Sequence, residues 1–108
     1  MSYRIRPEAR RELLEAIRWY EDQERGLGKR FVDVMDAGLQ KTLSHPQLYQ
    51  EVDPGIRRIP LKPFPYSAFY TEISGAIHVL SVYNDRRNPK IWRNRVSKRR
   101  STLLSDND

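Results

Sequence analysis

The stretch YSAFYTEISGAIHVLSVYN, residues 66–84, restricts the fold more than any other part of this sequence. Two runs rich in aromatic and β-branched residues flank Ser74-Gly75, the pattern of antiparallel strands joined by a two-residue turn. Such a turn sets the register. Phe69 then faces Leu80, Thr71 faces His78 and Ser67 faces Val82; on the opposite face Tyr70 meets Val79, Ala68 meets Ser81 and Tyr66 meets Tyr83. Both faces of the second run are partly apolar, as a central strand requires. One face is expected to carry helices. The other is expected to present tyrosines and small residues.

The first half has a different period. SYRIRP alternates Tyr3 and Ile5 with polar neighbours, a short strand stopped by Pro7, which also suits the first turn of a helix. Ala9, Leu13, Ala16, Ile17 and Tyr20 then recur at three- and four-residue steps as one apolar stripe. Gly26 supplies a left-handed cap and Gly28 loosens the joint. A second stripe runs through Phe31, Val34, Met35, Leu39 and Leu43 until Pro46 stops it. Two helices so closely joined form an antiparallel hairpin. After an Asp-Pro-Gly turn, IRRIPLK places Ile59 and Leu61 on one face and Arg58, Pro60 and Lys62 on the other; Pro60 marks an edge strand. A short helix starts at Asn88-Pro89. The expected fold class is α+β, in the order β-α-α-β-β-β, with the helical hairpin packed on one face of a mainly antiparallel sheet. Residues 1–96 form the domain, and 97–108, basic and then acidic, lose periodicity and read as a frayed tail.

Composition narrows function. A chain of 108 residues suits one domain. It has no cysteine, hence no disulfide or thiolate metal site, which fits a reducing cytoplasm. No apolar run approaches the roughly 18 residues of a membrane span, and the N-terminus has no signal-like apolar region. The formal charge of +6 points to an anionic partner, nucleic acid or an acidic protein segment. His45 reads as a helix-end residue and His78 as a strand residue, with no second ligand at metal spacing; no metal and no cofactor are expected. What remains is a set of cations, Arg57, Arg58, Lys62, Arg86, Arg87, Arg93 and Arg95, interleaved with Tyr66, Tyr70, Tyr83 and Trp92. Guanidinium groups bind phosphate bidentately and aromatic faces stack bases. These residues are expected to line one shallow basic groove that binds a target or its phosphates. Trp92 is expected to pack back on the sheet.

Four segments in order, AIRWYEDQERGLGKRF, HPQLYQEV, RRIPLKPFPYSAFY and VLSVYNDRRNPKIWRNR, resemble the RelE/ParE superfamily of type II toxin–antitoxin toxins, in particular members labelled plasmid-stabilisation proteins. The resemblance covers about residues 3–95. It implies the same strand and helix order, a cytoplasmic growth inhibitor, and a cognate antitoxin that silences it. The superfamily divides by mechanism. Its ribonucleases cut ribosome-bound mRNA without a metal, using sheet cations with a late tyrosine or histidine for proton transfer. Here the expected histidine position holds Asn84, and the late tyrosine's place holds Ile91 or Trp92, none of which titrates near neutral pH. Tyr83 and Arg87 are the remaining catalytic candidates, and a phenol with an ordinary pKa of about 10 makes a poor base. The resemblance therefore favours binding of a target such as DNA gyrase over ribosome-dependent RNA cleavage, with a non-toxic binding module as a third alternative. A partner antitoxin should carry an acidic, partly disordered tail that folds onto the joint at Gly26–Gly28 and onto the basic groove.

Overall fold

The computed structural model describes residues 2–106, with side chains through Ser105. Strand β1 (Ser2–Ile5) leads into helix α1 (Pro7–Gln23), and helix α2 (Leu27–Ser44) follows after a sharp joint. Strands β2 (Glu51–Asp53), β3 (Ile56–Pro60), β4 (Tyr66–Ile73) and β5 (Ala76–Asn84) come next, and helix α3 (Pro89–Asp106) ends the chain. The five strands form one sheet in the order β1-β5-β4-β3-β2, with β1 parallel to β5 and the other pairs antiparallel. The α+β class, the helical hairpin and its packing on a mainly antiparallel sheet are as the sequence indicates.

The hairpin covers one face. Ala9, Ala16, Tyr20, Phe31, Met35 and Leu39 meet Ile59, Leu61, Ala68, Tyr70, Ile77 and Val79 in the main core. Tyr20, Phe31, Phe64 and Tyr66 form an aromatic knot with ring centroids 4.8–5.9 Å apart, mostly edge to face. Gly26 takes the left-handed conformation at φ 90°, as its sequence position suggests. Gly28 does not loosen the joint. Its amide donates to the Glu21 carboxylate at 3.0 Å, and an added Cβ would sit 3.0 Å from the Ile17 carbonyl, so the residue lets the helices approach closely.

Several expectations change. The tyrosines of β4 lie under the hairpin: Tyr70 is buried and donates its hydroxyl to the Pro46 carbonyl at 2.7 Å. The register assumed from the turn holds from Ile73 to Tyr70 and then slips by one residue, because Leu80 is an extra residue on β5. Phe69 therefore faces Ser81, Ala68 faces Val82 and Ser67 faces Tyr83. A bulge of this kind leaves no trace in an alternating pattern that is apolar on both faces. A short strand, β2, lies outside β3 but pairs only with Ile56 and Arg57. Backbone alternation points the missing N–H of Pro60 past the end of β2, so the proline is tolerated on a strand that is not the outermost.

The largest departure is at the C-terminus. Residues 97–106, expected to fray, continue the helix that begins at Pro89; Asn107 and Asp108 of the expected tail lie outside the described residues. Trp92, Val96 and Leu103 pack with Ile56, Phe69, Ile73, Leu80 and Tyr83 in a second core on the face away from the hairpin. These anchors are spaced four and seven apart, and Ile91 and Leu104 lie exposed off their line, so no amphipathic stripe registers in the sequence. The face expected to hold an open groove is a covered one.

Candidate binding surface at the end of strand β5

Strand β1 stops at Ile5, and the last bond it leaves on β5 is Arg6 N–H to the Val79 carbonyl, 3.1 Å. Beyond that point the outer edge of β5 has no strand beside it. Side chains occupy it instead. Glu12 on α1 accepts from the Val82 amide at 3.1 Å, from the Ser81 hydroxyl at 2.9 Å and from Arg99 at 3.0 Å, while its second oxygen accepts from Arg95. Arg99 also donates to the Leu80 carbonyl at 2.8 Å. One carboxylate thus links α1, the bulged strand and α3, with only 16% of its side chain exposed. The pairing is charge-assisted on every side.

The strand end leads into a tight connection. Asn84 Oδ1 accepts from the Arg86 amide at 2.8 Å, an Asx turn, and Asn88 Oδ1 accepts from the Lys90 amide at 2.9 Å to start α3. Tyr83 donates its hydroxyl to the Asn88 carbonyl at 3.0 Å, and the guanidinium groups of Arg87 and Arg95 lie 5.6 and 5.5 Å from its ring centroid. Trp92 stacks on Phe69 at 4.4 Å, as expected of a residue packed back on the sheet. Arg93 covers its outer side at 5.1 Å.

In front of this connection lies an open cleft of about 550 Å³ between α1 and the β5–α3 junction, walled by Trp19, Glu15, Tyr66, Asn84, Arg87 and Arg95. A neighbouring recess of about 300 Å³ shares Trp19, Tyr66 and Asn84 and adds Arg86. Trp19 is 57% exposed, the largest apolar surface at the site. Sequence reasoning passed over it. The available signal was a tryptophan lying off the apolar stripe of an amphipathic helix, where nothing in the fold needs it.

The expected site cations do not share one surface. Arg86, Arg87 and Arg95 gather at the cleft, and Arg93 stands beside them on α3. Arg57 points to the far edge, donates to the Tyr49 carbonyl at 2.7 Å and pairs with Glu51 at 3.7 Å. Arg58 donates to the Ser67 hydroxyl at 2.8 Å and pairs with Asp85 at 3.4 Å, which Ser67 also bonds at 2.7 Å. Lys62 is exposed in the β3–β4 connection.

Among the cleft's proton-transfer groups, Glu12 is paired with Arg95 and Arg99, and Glu15 lines the α1 wall. Asn84 is an amide held in its turn, and Tyr83 spends its proton on a backbone carbonyl. Burial raises the Tyr20 phenol, helped by Tyr66 and opposed by Arg86, so that ring stays protonated. Burial also raises Tyr49 and Tyr70. His78 lies away from this cleft; burial first, then Arg6 and Arg4, lower its pKa and keep it neutral. Among the described residues no three His, Cys, Asp or Glu side chains gather as metal ligands.

A helical hairpin on a five-stranded sheet, with cations collected where strand β5 meets the last helix, defines a small basic α+β domain with a charged surface. The family model described as "ParE toxin of type II toxin-antitoxin system, parDE" matches residues 3–89, and the chain belongs to that family: it is the toxin component of a type II toxin–antitoxin module. A solved structure of the chromosomal ParDE TA system from P. aeruginosa is similar in fold, with a TM-score of 0.57 and 17% identity over 78% of this chain and 95% of that one. No curated protein matches the sequence. Among the described residues no helix is long and apolar enough to cross a membrane.

Proposed function

We propose that this toxin acts in the cytoplasm by binding a target such as DNA gyrase, through the surface at the β5–α3 junction, and that it does not cut RNA. The observation that carries this reading is the state of the proton-transfer positions. Asn84 is locked in an Asx turn, Trp92 is stacked on Phe69, and the Tyr83 hydroxyl is engaged by Asn88. In-line attack by a ribose hydroxyl needs a base and an acid beside the phosphate. The cleft offers arginines, which bind phosphate but do not titrate near neutral pH, and its carboxylates are Glu12, held by Arg95 and Arg99, and Glu15 on the α1 wall.

A cognate antitoxin with an acidic, partly disordered tail is the second half of the proposal. The exposed Trp19 beside Arg86 and Arg87 supplies apolar contact and positive charge together, as a folding-on-binding tail requires. The test is expression of the chain without its antitoxin, followed by gyrase supercoiling assays and mapping of mRNA 5′ ends. Growth arrest with intact messages and impaired supercoiling supports the reading. Cleavage of mRNA only when ribosomes are present would overturn it in favour of a ribosome-dependent endoribonuclease.

A further inference from the structure

The distribution of charge is more uneven than the net value suggests. Residues 1–85 contain twelve Lys and Arg against twelve Asp and Glu, whereas residues 86–108 contain eight Lys and Arg against two Asp. The whole formal charge of +6 therefore belongs to residues 86–108, from the β5–α3 connection onward. The cations there divide by direction. Arg95 and Arg99 turn inward to Glu12, and Arg100 turns inward to the Thr71 hydroxyl at 3.0 Å. Arg86, Arg87, Lys90, Arg93 and Lys98 are exposed, and none is ion-paired among the described residues.

We infer that the outward face of α3, with the connection before it, is a contact surface for the sugar-phosphate backbone of double-stranded DNA, independent of sequence. The inference deepens the proposed binding function by naming a nucleic-acid component of the target. Three features favour a duplex over an acidic peptide. Lys90, Arg93 and Lys98 sit on a convex helix, and among the exposed positions between them Ile91 is the one apolar side chain beside Asn94 and Ser97, so an amphipathic acidic helix would find no apolar groove there. A helix about 10–12 Å across matches the roughly 12 Å major groove of a duplex. Small polar side chains and arginines are also the usual donors to phosphate and sugar oxygens. Single strands are disfavoured on α3 itself, because its one aromatic ring is stacked on Phe69 and offers no platform for a base.

The experiment uses the purified full-length chain and a labelled duplex of arbitrary sequence, read by fluorescence anisotropy across a salt series. Four phosphate contacts predict a slope of log K against log salt of about −4, so a fourfold rise in salt lowers affinity on the order of a hundredfold. The quadruple variant Arg86→Gln, Arg87→Gln, Lys90→Gln, Arg93→Gln should retain its melting temperature, lose at least about tenfold in affinity and flatten the slope. A second variant removes the same charge elsewhere, by glutamine at Arg10, Arg11, Arg18 and Arg30, all exposed on the helical hairpin. It should bind nearly as the parent does. Equal losses in the two variants would mean that net charge alone attracts the duplex, and the inference falls. It falls equally if polyglutamate of matched charge competes as well as the duplex, or if no duplex binding occurs. In those cases growth arrest by the parent chain, with messages intact, leaves the binding-toxin reading standing.

Discussion

Glu12 is the side chain on which most of the C-terminal architecture depends. A carboxylate this enclosed is tolerable because two guanidinium groups, a hydroxyl and an amide face it. Glu12→Ala leaves Arg95 and Arg99 half-buried without a counter-charge. The expected loss is about 2–3 kcal/mol in urea melts, below the ~3–5 of a fully buried pair because Arg95 keeps part of its side chain in water. A loss under about 0.5 kcal/mol would show that α3 does not need this anchor. Phe31→Ala, at the centre of the aromatic knot, should cost about 3–5 kcal/mol by the same measurement. His78 has a different signature. Its folded-state pKa is lowered by burial and by Arg6 and Arg4, so the unfolded chain binds the proton more readily. Stability should therefore be full above about pH 7 and fall as pH drops below the ordinary value near 6.5, where the unfolded histidine protonates first. His78→Gln should flatten that part of a stability-against-pH curve, and an unchanged slope would assign the acid sensitivity to another group.

At the scale of elements, legibility followed how much each segment depends on its own sequence. The helical hairpin and the β4–β5 hairpin were readable because apolar spacing and turn residues determine them locally. Of helix α3 only the start at Asn88-Pro89 was readable, since Trp92, Val96 and Leu103 hold its further length by contacts with strands far away in the chain. The same holds for the bulge at Leu80, whose purpose shows only when Glu12 is seen bonding the displaced Ser81 and Val82. Of the candidate site, the arginines around Tyr83 stand out in composition, while Arg57 is tied to Tyr49 and Glu51 at the far edge and Arg58 to Ser67 and Asp85, contacts that a list of cations cannot distinguish. The layer between α2 and β3 gives a further test. An added Cβ at Gly38 would lie 2.8 Å from Ile59 Cγ2, deep in the main core. Gly38→Ala should gain helix propensity and still destabilise the domain by about 1–3 kcal/mol, the usual cost of overpacking. Stabilisation in a thermal melt would mean that β3 yields easily.

For the whole molecule, a toxin with a neutral body and a strongly cationic final helix should respond to its antitoxin as a charged ligand system. The acidic tail proposed for the antitoxin should associate more slowly as salt rises, since steering by opposite charge is screened beyond about 10 Å at 0.1 M salt. At a hundredfold excess over Kd the complex should be about 2.7 kcal/mol more stable, a Tm rise on the order of 10 °C for a domain of this size. No concentration-dependent rise would remove the antitoxin half of the proposal. The parallel pairing of β1 with β5, from Ser2 opposite Ala76 to Ile5 opposite Val79, has a consequence for synthesis. The first strand waits for a partner until most of the chain has left the ribosome, whereas the helical hairpin can form early from local contacts. Helix α3 cannot dock until later still, because its Glu12 clamp closes on a finished β5 edge. The cationic surface is thus the last part of the protein to take shape. Stalled chains ending before about residue 85 should resist full compaction in a force-sensitive arrest assay, because neither β1 nor α3 has its docking edge until β5 is complete.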